Sequence, residues 1–251
     1  MKAFCIGDLH GCFNELLELL EQVPKNTQIF SVGDLIDRGP DSRKVINFIR
    51  DSNIQAVRGN HESMAIECLL DLKKYVENPN PSTMYALGNS DWFYNGGHEV
   101  FNQYKTTNDL PQLVKDIEWM QTLPLFIKTG IKNLDGLELL VSHTWSALNP
   151  ETSSTFDMLW NRNQPYKVKN TTPYYNIYGH TPVDYVMPET YHKKETTERI
   201  PKPLLFNGAA NIDTGAPYNS RSRGVLTGIF FPSLKTLQVQ RKPYSSLKTE
   251  T

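Results

Sequence analysis

Cysteine is scarce in this chain. It occurs three times in 251 residues, as Cys5, Cys12 and Cys68, an odd count without a CxxC pair. That argues against a disulfide framework and points to reduced thiols in a cytoplasm, the compartment expected here. An excess of either charge is also missing: 26 Lys+Arg face 27 Asp+Glu, a net charge of −1. Such a balance gives no bulk electrostatic grip on nucleic acid or on an anionic membrane, so neither is an expected partner. No apolar run is long enough to cross a bilayer. The apolar stretch that ends at Gly7 turns polar at Asp8; it is too short for a secretory signal and reads as a buried strand. There is no GxxxxGK[ST] loop and no GxSxG elbow.

What is present is ample apolar material, 39% hydrophobic against 21% charged, which excludes wholesale disorder. No linker or shift in composition appears, so a single domain over 1–251 is expected, with a helical insertion at about 76–123 and a flexible tail at about 241–251.

Periodicity gives the first third a repeating scheme. Strands are expected at 2–6, 28–32 and 54–57. Phe13, Leu16, Leu17, Leu20 and Val23 recur at helical spacing between the first two. Asp41 or Ser42 can cap a second helix carrying Val45, Ile46 and Ile49, and a third helix is expected at about 62–75. Strand–helix alternation of this kind implies parallel strands and an α/β fold. A helix is expected near 111–123, then strands at 125–129 and 137–141 joined through Leu134-Asp135-Gly136. Later strands are expected at 175–178, 183–187, 204–206, 210–213, 225–231 and 236–240, with 188–203 an exposed loop.

Each of the first three strands ends in a short polar motif: Gly7-Asp8-Leu9-His10-Gly11, Gly33-Asp34-Leu35-Ile36-Asp37-Arg38-Gly39 and Arg58-Gly59-Asn60-His61-Glu62. The spacing is regular, 34 − 8 = 26 and 60 − 34 = 26. One strand–helix unit per interval brings all three loops to the same carboxyl edge of the sheet, where α/β folds place ligands. Val141-Ser142-His143 and Tyr178-Gly179-His180 each add a histidine after an apolar strand. Carboxylate, imidazole and amide oxygen form a ligand set for divalent Mn, Fe or Zn. A carboxylate shared by two ions would leave residual positive charge suited to a phosphate, and Arg38 and Arg58 add planar forks for its oxygens. His61-Glu62 does not open a zincin HExxH, because Ala65 stands at the second histidine position. Asp213-Thr214-Gly215 has no second copy, so an aspartic-protease pair is excluded. His98 and His192 read as loop or surface histidines, and Lys193-Lys194 as solvated.

With these motifs in this order, followed by His143, Trp160-Asn161-Arg162, Gly179-His180-Thr181-Pro182 and Ile212-Asp213-Thr214-Gly215, the chain resembles the metal-dependent phosphoprotein phosphatases among the calcineurin-like metallophosphoesterases. Within them it is most similar to the lambda-phage-type bacterial and viral serine/threonine phosphatases. The resemblance implies two facing mixed β-sheets flanked by helices. It implies two divalent ions, with Mn(II) expected and Fe, Zn or Mg compatible. Asp8 and His10 would hold the first ion, Asp34 would bridge, and Asn60, His143 and His180 would hold the second. Arg38, Arg58 and Arg162 would bind phosphate, Arg162 on resemblance alone. His61 would be the general acid, oriented by Asp37. The implied reaction is hydrolysis of phosphoserine and phosphothreonine, with phosphotyrosine a further substrate, by a hydroxide held between the metals. Phosphorylated proteins are the partners. Two rival readings exist. One is symmetrical hydrolysis of diadenosine polyphosphates on the same metal site, although relatives of that kind usually lack the aspartate matching Asp37 and read GNHD where this chain has Glu62. The other is an inactive phosphate-binding scaffold, which would normally have lost a ligand or the acid.

Overall fold

All four residues of β1 (Ala3–Ile6) are buried, and they divide between two cores. Phe4 and Ile6 join a cluster shared with the helices, while Ala3 and Cys5 join a second cluster between two sheets. A strand covered on both faces has no polar side, which is why its sequence does not alternate. The computed structural model describes residues 2–145, 150–166, 169–186, 200–218 and 224–241.

In chain order the strands after β1 are β2 (Gln28–Ser31), β3 (Gln55–Ala56), β4 (Phe126–Lys132), β5 (Glu138–Ser142), β6 (Tyr174–Tyr178), β7 (Leu204–Phe206), β8 (Ala209–Asn211), β9 (Val225–Phe231) and β10 (Thr236–Gln240). They form two five-stranded mixed sheets, β10-β9-β1-β2-β3 and β4-β5-β6-β8-β7. In the first, β1, β2 and β3 are parallel, with Ala3 opposite Gln28 and Phe30 opposite Gln55, and β9 runs antiparallel to β1. Helices α1 (Phe13–Glu21) and α2 (Ser42–Asp51) make the two crossovers. In the second sheet β5, β6 and β8 are parallel and the outer strands antiparallel. The expected α/β architecture of two mixed sheets flanked by helices is therefore found. All three cysteines are free and buried, and burial pushes the Cys12 thiol up to about 12, away from any ligand role.

Four local expectations are corrected. The helix expected at 62–75 is two helices, α3 (Asn60–Glu67) and α4 (Leu69–Glu77), meeting at Cys68. The strand expected at 183–187 is instead a short helix, α9 (Val183–Val186), whose first turn closes from the Tyr185 N–H to the Pro182 carbonyl. Neither Asp41 nor Ser42 caps α2 through its side chain. Ser42 Oγ instead accepts from the Asp37 N–H at 3.1 Å, and Asp41 pairs with Lys44. Finally, α8 (Thr155–Trp160) was not anticipated, although Ser154 caps it by accepting from the Asp157 N–H and the Ser-x-x-Asp spacing carries that signal. His192, Lys193-Lys194, most of the 188–203 loop and the tail beyond Arg241 lie outside the described residues.

Between α4 and β4 lie α5 (Pro81–Gly88), a π-helical turn (Phe93–Gly97), α6 (His98–Lys105) and α7 (Leu110–Met120). This helical segment is fastened to α2 by two arginines. Arg43 donates to Thr107 Oγ1 at 2.8 Å and pairs with Asp109. Arg50 pairs with Asp116, which is fully buried and also accepts from the Tyr104 hydroxyl at 2.5 Å and from Gln112 Nε2 at 2.8 Å. No helix among the described residues is long and apolar enough to cross a membrane. Asp116→Ala removes three partners at once and strands a buried hydroxyl. It should lower the unfolding free energy by about 2–4 kcal/mol. Urea unfolding checks this, and a loss below about 0.5 kcal/mol would show that the clamp is dispensable.

Candidate active site

The three loops that follow β1, β2 and β3 meet because one carboxylate ties two of them together. Glu62, fully buried in the first turn of α3, accepts four backbone N–H groups. Its Oε2 takes those of Gly59 at 2.8 Å and Asp34 at 3.0 Å, and its Oε1 takes those of Leu35 at 2.8 Å and Ile36 at 3.3 Å. The strands bring Asp8, Asp34 and Asn60 together only if the backbone can approach their side chains. A Cβ on Gly59 would fall 2.1 Å from Asp34 Oδ1, and one on Gly179 would fall 1.9 Å from Asp8 Oδ1, so only glycine fits at either position.

Seven non-glycine residues among those described have positive φ, and five of them are His10, Asp34, Asp37, Arg38 and His180. Each such residue costs about 1–3 kcal/mol, and such strain concentrates where function requires a fixed side chain.

Two trios of potential ligands converge, His10 with Asp34 and His61, and Asp8 with Asp34 and His143. Asp34 belongs to both, as a bridging carboxylate must. The expected first-ion pair, Asp8 with His10, is drawn across the two trios. His10 Nδ1 donates to the Ile36 carbonyl at 2.8 Å and His143 Nδ1 to the Val32 carbonyl at 2.8 Å. Those bonds assign the proton to Nδ1 and leave each Nε2 a lone pair. The His143 lone pair faces other acceptors, whereas the His10 lone pair already accepts from Arg38. His143 Nε2 lies 2.9 Å from Asn60 Oδ1 and 3.4 Å from Asp34 Oδ1, and His10 Nε2 lies 3.5 Å from Asp34 Oδ2. His180 Nδ1 also lies 2.9 Å from Asn60 Oδ1, and its backbone N–H donates to Asp8 Oδ2 at 3.0 Å. The His143 lone pair set against Asn60 Oδ1 and Asp34 Oδ1 is repulsive without a cation, and His180 Nε2 is buried without a partner, so the donor set fits divalent ions.

Electrostatics agrees. Burial pushes the Asp8 carboxyl well up, with Asp213 and Asp34 adding to it, and pushes Asp34 up to about 7 against the pull of Arg38 and Arg162. Burial lowers His143 to about 4, and burial with Arg38 lowers His10 well below its usual range, so both imidazoles are neutral at neutral pH, the form that can ligate a metal.

The remaining expected residues are placed as follows. His61 is buried, with Nδ1 2.5 Å from Asp37 Oδ2 and its N–H on Asp34 Oδ1 at 3.1 Å. Arg38 Nη1 donates to His10 Nε2 at 2.8 Å. Arg58 Nη2 is anchored on the Gln121 carbonyl at 2.7 Å and the Leu123 carbonyl at 3.1 Å, and its Nε–H is buried without a partner. Arg162 is exposed at the rim, where its charge lowers Asp34 and His180. His98 lies half-exposed beside Glu99, away from the cluster. Two participants were missed as such. Trp92 Nε1 donates to Asp37 Oδ1 at 2.9 Å, and Asp213 is a third buried acid near Asp8, with burial and Asp34 pushing it up to about 7.

The profile of the calcineurin-like phosphoesterases matches residues 1–209. Serine/threonine-protein phosphatase 1 of Salmonella typhimurium is 41% identical over 91 residues, 35% of this chain and 38% of that protein. A symmetrical bis(5'-nucleosyl)-tetraphosphatase of Actinobacillus succinogenes is 35% identical over 96 residues, 36% of this chain and 35% of that protein. The matched stretch thus spans little more than a third of either relative. The crystal structure of a candidate diadenosine tetraphosphatase superposes with a TM-score of 0.59 at 16% identity, covering 96% of this chain and 94% of that one; that likeness is one of fold.

The carboxyls held above their usual range predict a linkage between metal and protons. A bound dication favours the ionised form of Asp8 and Asp34, whereas the histidines are already neutral. Mn(II) binding at pH 6 should therefore release protons, and the release should shrink by pH 8. Affinity should rise with pH through about 7, where Asp34 ionises, because Asp8 is held above its usual range as well. Calorimetry in buffers of different ionisation enthalpy checks this, and equal release at both pH values would contradict it.

Proposed function

This chain belongs to the calcineurin-like phosphoesterase family, and from that membership we propose that it is a metal-dependent phosphomonoesterase acting on phosphoserine and phosphothreonine in proteins, with phosphotyrosine a further substrate. The family uses a dinuclear metal site, and here Asp8, His10, Asp34, Asn60, His143 and His180 would hold the two ions, with Mn(II) the expected metal. When bound, such ions supply Lewis-acid stabilisation and a readily ionised water.

The observation that carries the reading is the His61–Asp37 pair. Serine and threonine leave phosphorus as alkoxides, which need a proton in the transition state. A nucleotide leaves a phosphoanhydride as a phosphate, which does not. A buried imidazole fixed by a buried carboxylate at 2.5 Å is a device for the first case. In the step, a water oxygen bonds to phosphorus as the phosphorus–ester oxygen bond breaks. The bond pair leaves with the ester oxygen, which takes the Nε2 proton of a His61 imidazolium; the attacking water gives up one of its protons to solvent, and His61, left neutral, is reprotonated from solvent before the next turnover. Arg38, Arg58 and Arg162 bind the non-bridging oxygens, and the unpartnered Nε–H of Arg58 supports that role. Beside Arg38 lies an open groove of about 400 Å³ bordered by Glu99, Asn102, Gln103, Thr106 and Arg241, room for the group that carries the phosphate.

The tetraphosphatase relative favours a second reading, symmetrical cleavage of diadenosine polyphosphate. A substrate panel with Mn(II)-loaded protein separates the two. Phosphoserine and phosphothreonine peptides should turn over with weak sequence preference; negligible turnover of every phosphopeptide beside rapid cleavage of diadenosine tetraphosphate would transfer the assignment. Within the first reading, His61→Asn should lose about 10²–10⁴-fold on a phosphoserine peptide and much less on nitrophenyl phosphate, whose leaving group needs no proton. Steady-state rates at matched metal content check this. Equal losses on both substrates would mean that His61 binds phosphate or shapes the site.

A further inference from the structure

One side chain carries the helical segment between α4 and β4 into the site. Trp92, fully buried just ahead of the π turn, donates from Nε1 to Asp37 Oδ1 at 2.9 Å across 55 positions of sequence. The other oxygen of the same carboxylate, Oδ2, lies 2.5 Å from His61 Nδ1. Each Asp37 oxygen thus has one partner, and the Asp37 backbone is held separately by Ser42. The indole is fixed in turn. A Cβ on Gly97 would fall 2.4–2.6 Å from three indole atoms, so the helix closes on the ring only because that residue is glycine. Phe93 packs edge-on against it at 5.6 Å between centroids. π turns are often found at functional sites.

We propose that Trp92 is a positioning residue for proton delivery: its indole N–H sets the rotation of the Asp37 carboxylate, and through it the ring plane of a His61 imidazolium whose Nδ1–H is held by Asp37, so that the Nε2–H faces the ester oxygen. The torsion of a carboxylate about its last bond is broad, and a single partner does not fix it. Two opposed partners do. The proposal rests on the reading of His61 as proton donor, and it concerns the N–H rather than the bulk of the ring. Among the described residues, the Trp92 indole N–H bonds to Asp37 and to none of the proposed phosphate-binding arginines or metal ligands.

The test uses the full chain loaded with Mn(II). Trp92→Phe keeps an aromatic ring and deletes the donor. It should lower kcat on a phosphoserine peptide by about 10–100-fold, part of the full contribution of general acid catalysis. The loss on nitrophenyl phosphate should stay within about threefold, with KM and metal content little moved. Adding Trp92→Phe to His61→Asn should cost nothing further on the peptide. Equal losses on both substrates, or additive losses in the double variant, would overturn the proposal. If His61→Asn alone fails to discriminate the substrates, the proton-donor reading falls and this proposal with it. If His61→Asn discriminates and Trp92→Phe does not, only the role of Trp92 falls. Should Trp92→Phe fail to fold, benzothienylalanine at position 92 keeps the shape and replaces the N–H by sulfur. The same split between substrates is expected there, and its absence would be decisive against the proposal.

Discussion

The site depends on one buried carboxylate that touches no substrate. Glu62 gathers four N–H groups from two loops, and that convergence holds Asp34 at a φ of 49° between the two ligand trios. An aspartate at this position would be one carbon shorter and could not span the Gly59, Leu35 and Ile36 amides from the same helix turn. In the sequence Glu62 stands only as a mark of one branch of phosphatases against another. In the fold it is the tie between the second and third loops, so the distinction between glutamate and aspartate there has a mechanical basis.

Around that tie the site collects charge that the protein alone does not balance. Asp8, Asp34 and Asp213 are buried together and pushed up by burial, while the neighbouring imidazoles are pushed down and carry no compensating charge. Only the arginines pull the other way, and one of them, Arg38, leans its guanidinium on His10 itself. Metal affinity and phosphate affinity are therefore parts of one electrostatic system.

Much of this was legible in the sequence, because the ligands sit in local motifs at strand ends and the regular spacing projects them to one edge. Asp8, His10, Asp34, Asn60 and His61 need only that logic. His143 and His180 follow strands of the second sheet and stand out as histidines after apolar strands, but their pairing with Asn60 around a second ion came from the resemblance. What escaped has no local signature. Trp92 looks like one more apolar residue in a helical run, and its partner lies 55 residues away. The short helix at Val183–Val186 carries Val183 and Tyr185 at strand spacing, and the Val183 N–H is settled by the distant Asp213 carbonyl rather than by a neighbouring strand. Ser42 reads as a helix cap, yet its hydroxyl is drawn to the Asp37 N–H because that loop folds back over the helix start. Tertiary contact overrides propensity in each case.

The five left-handed residues at the site also shape which sequences the fold can drift toward. At His10, Asp34, Asp37, Arg38 and His180 the backbone prefers glycine or asparagine to the residue present. Random substitution followed by selection for stability alone would drain these positions of their chemistry, because relief of strain and loss of the side chain come in the same step. Directed evolution for heat resistance should therefore be run with an activity screen at every round. Variants recovered without one would be expected to accumulate changes at these loops before the core or the surface is touched.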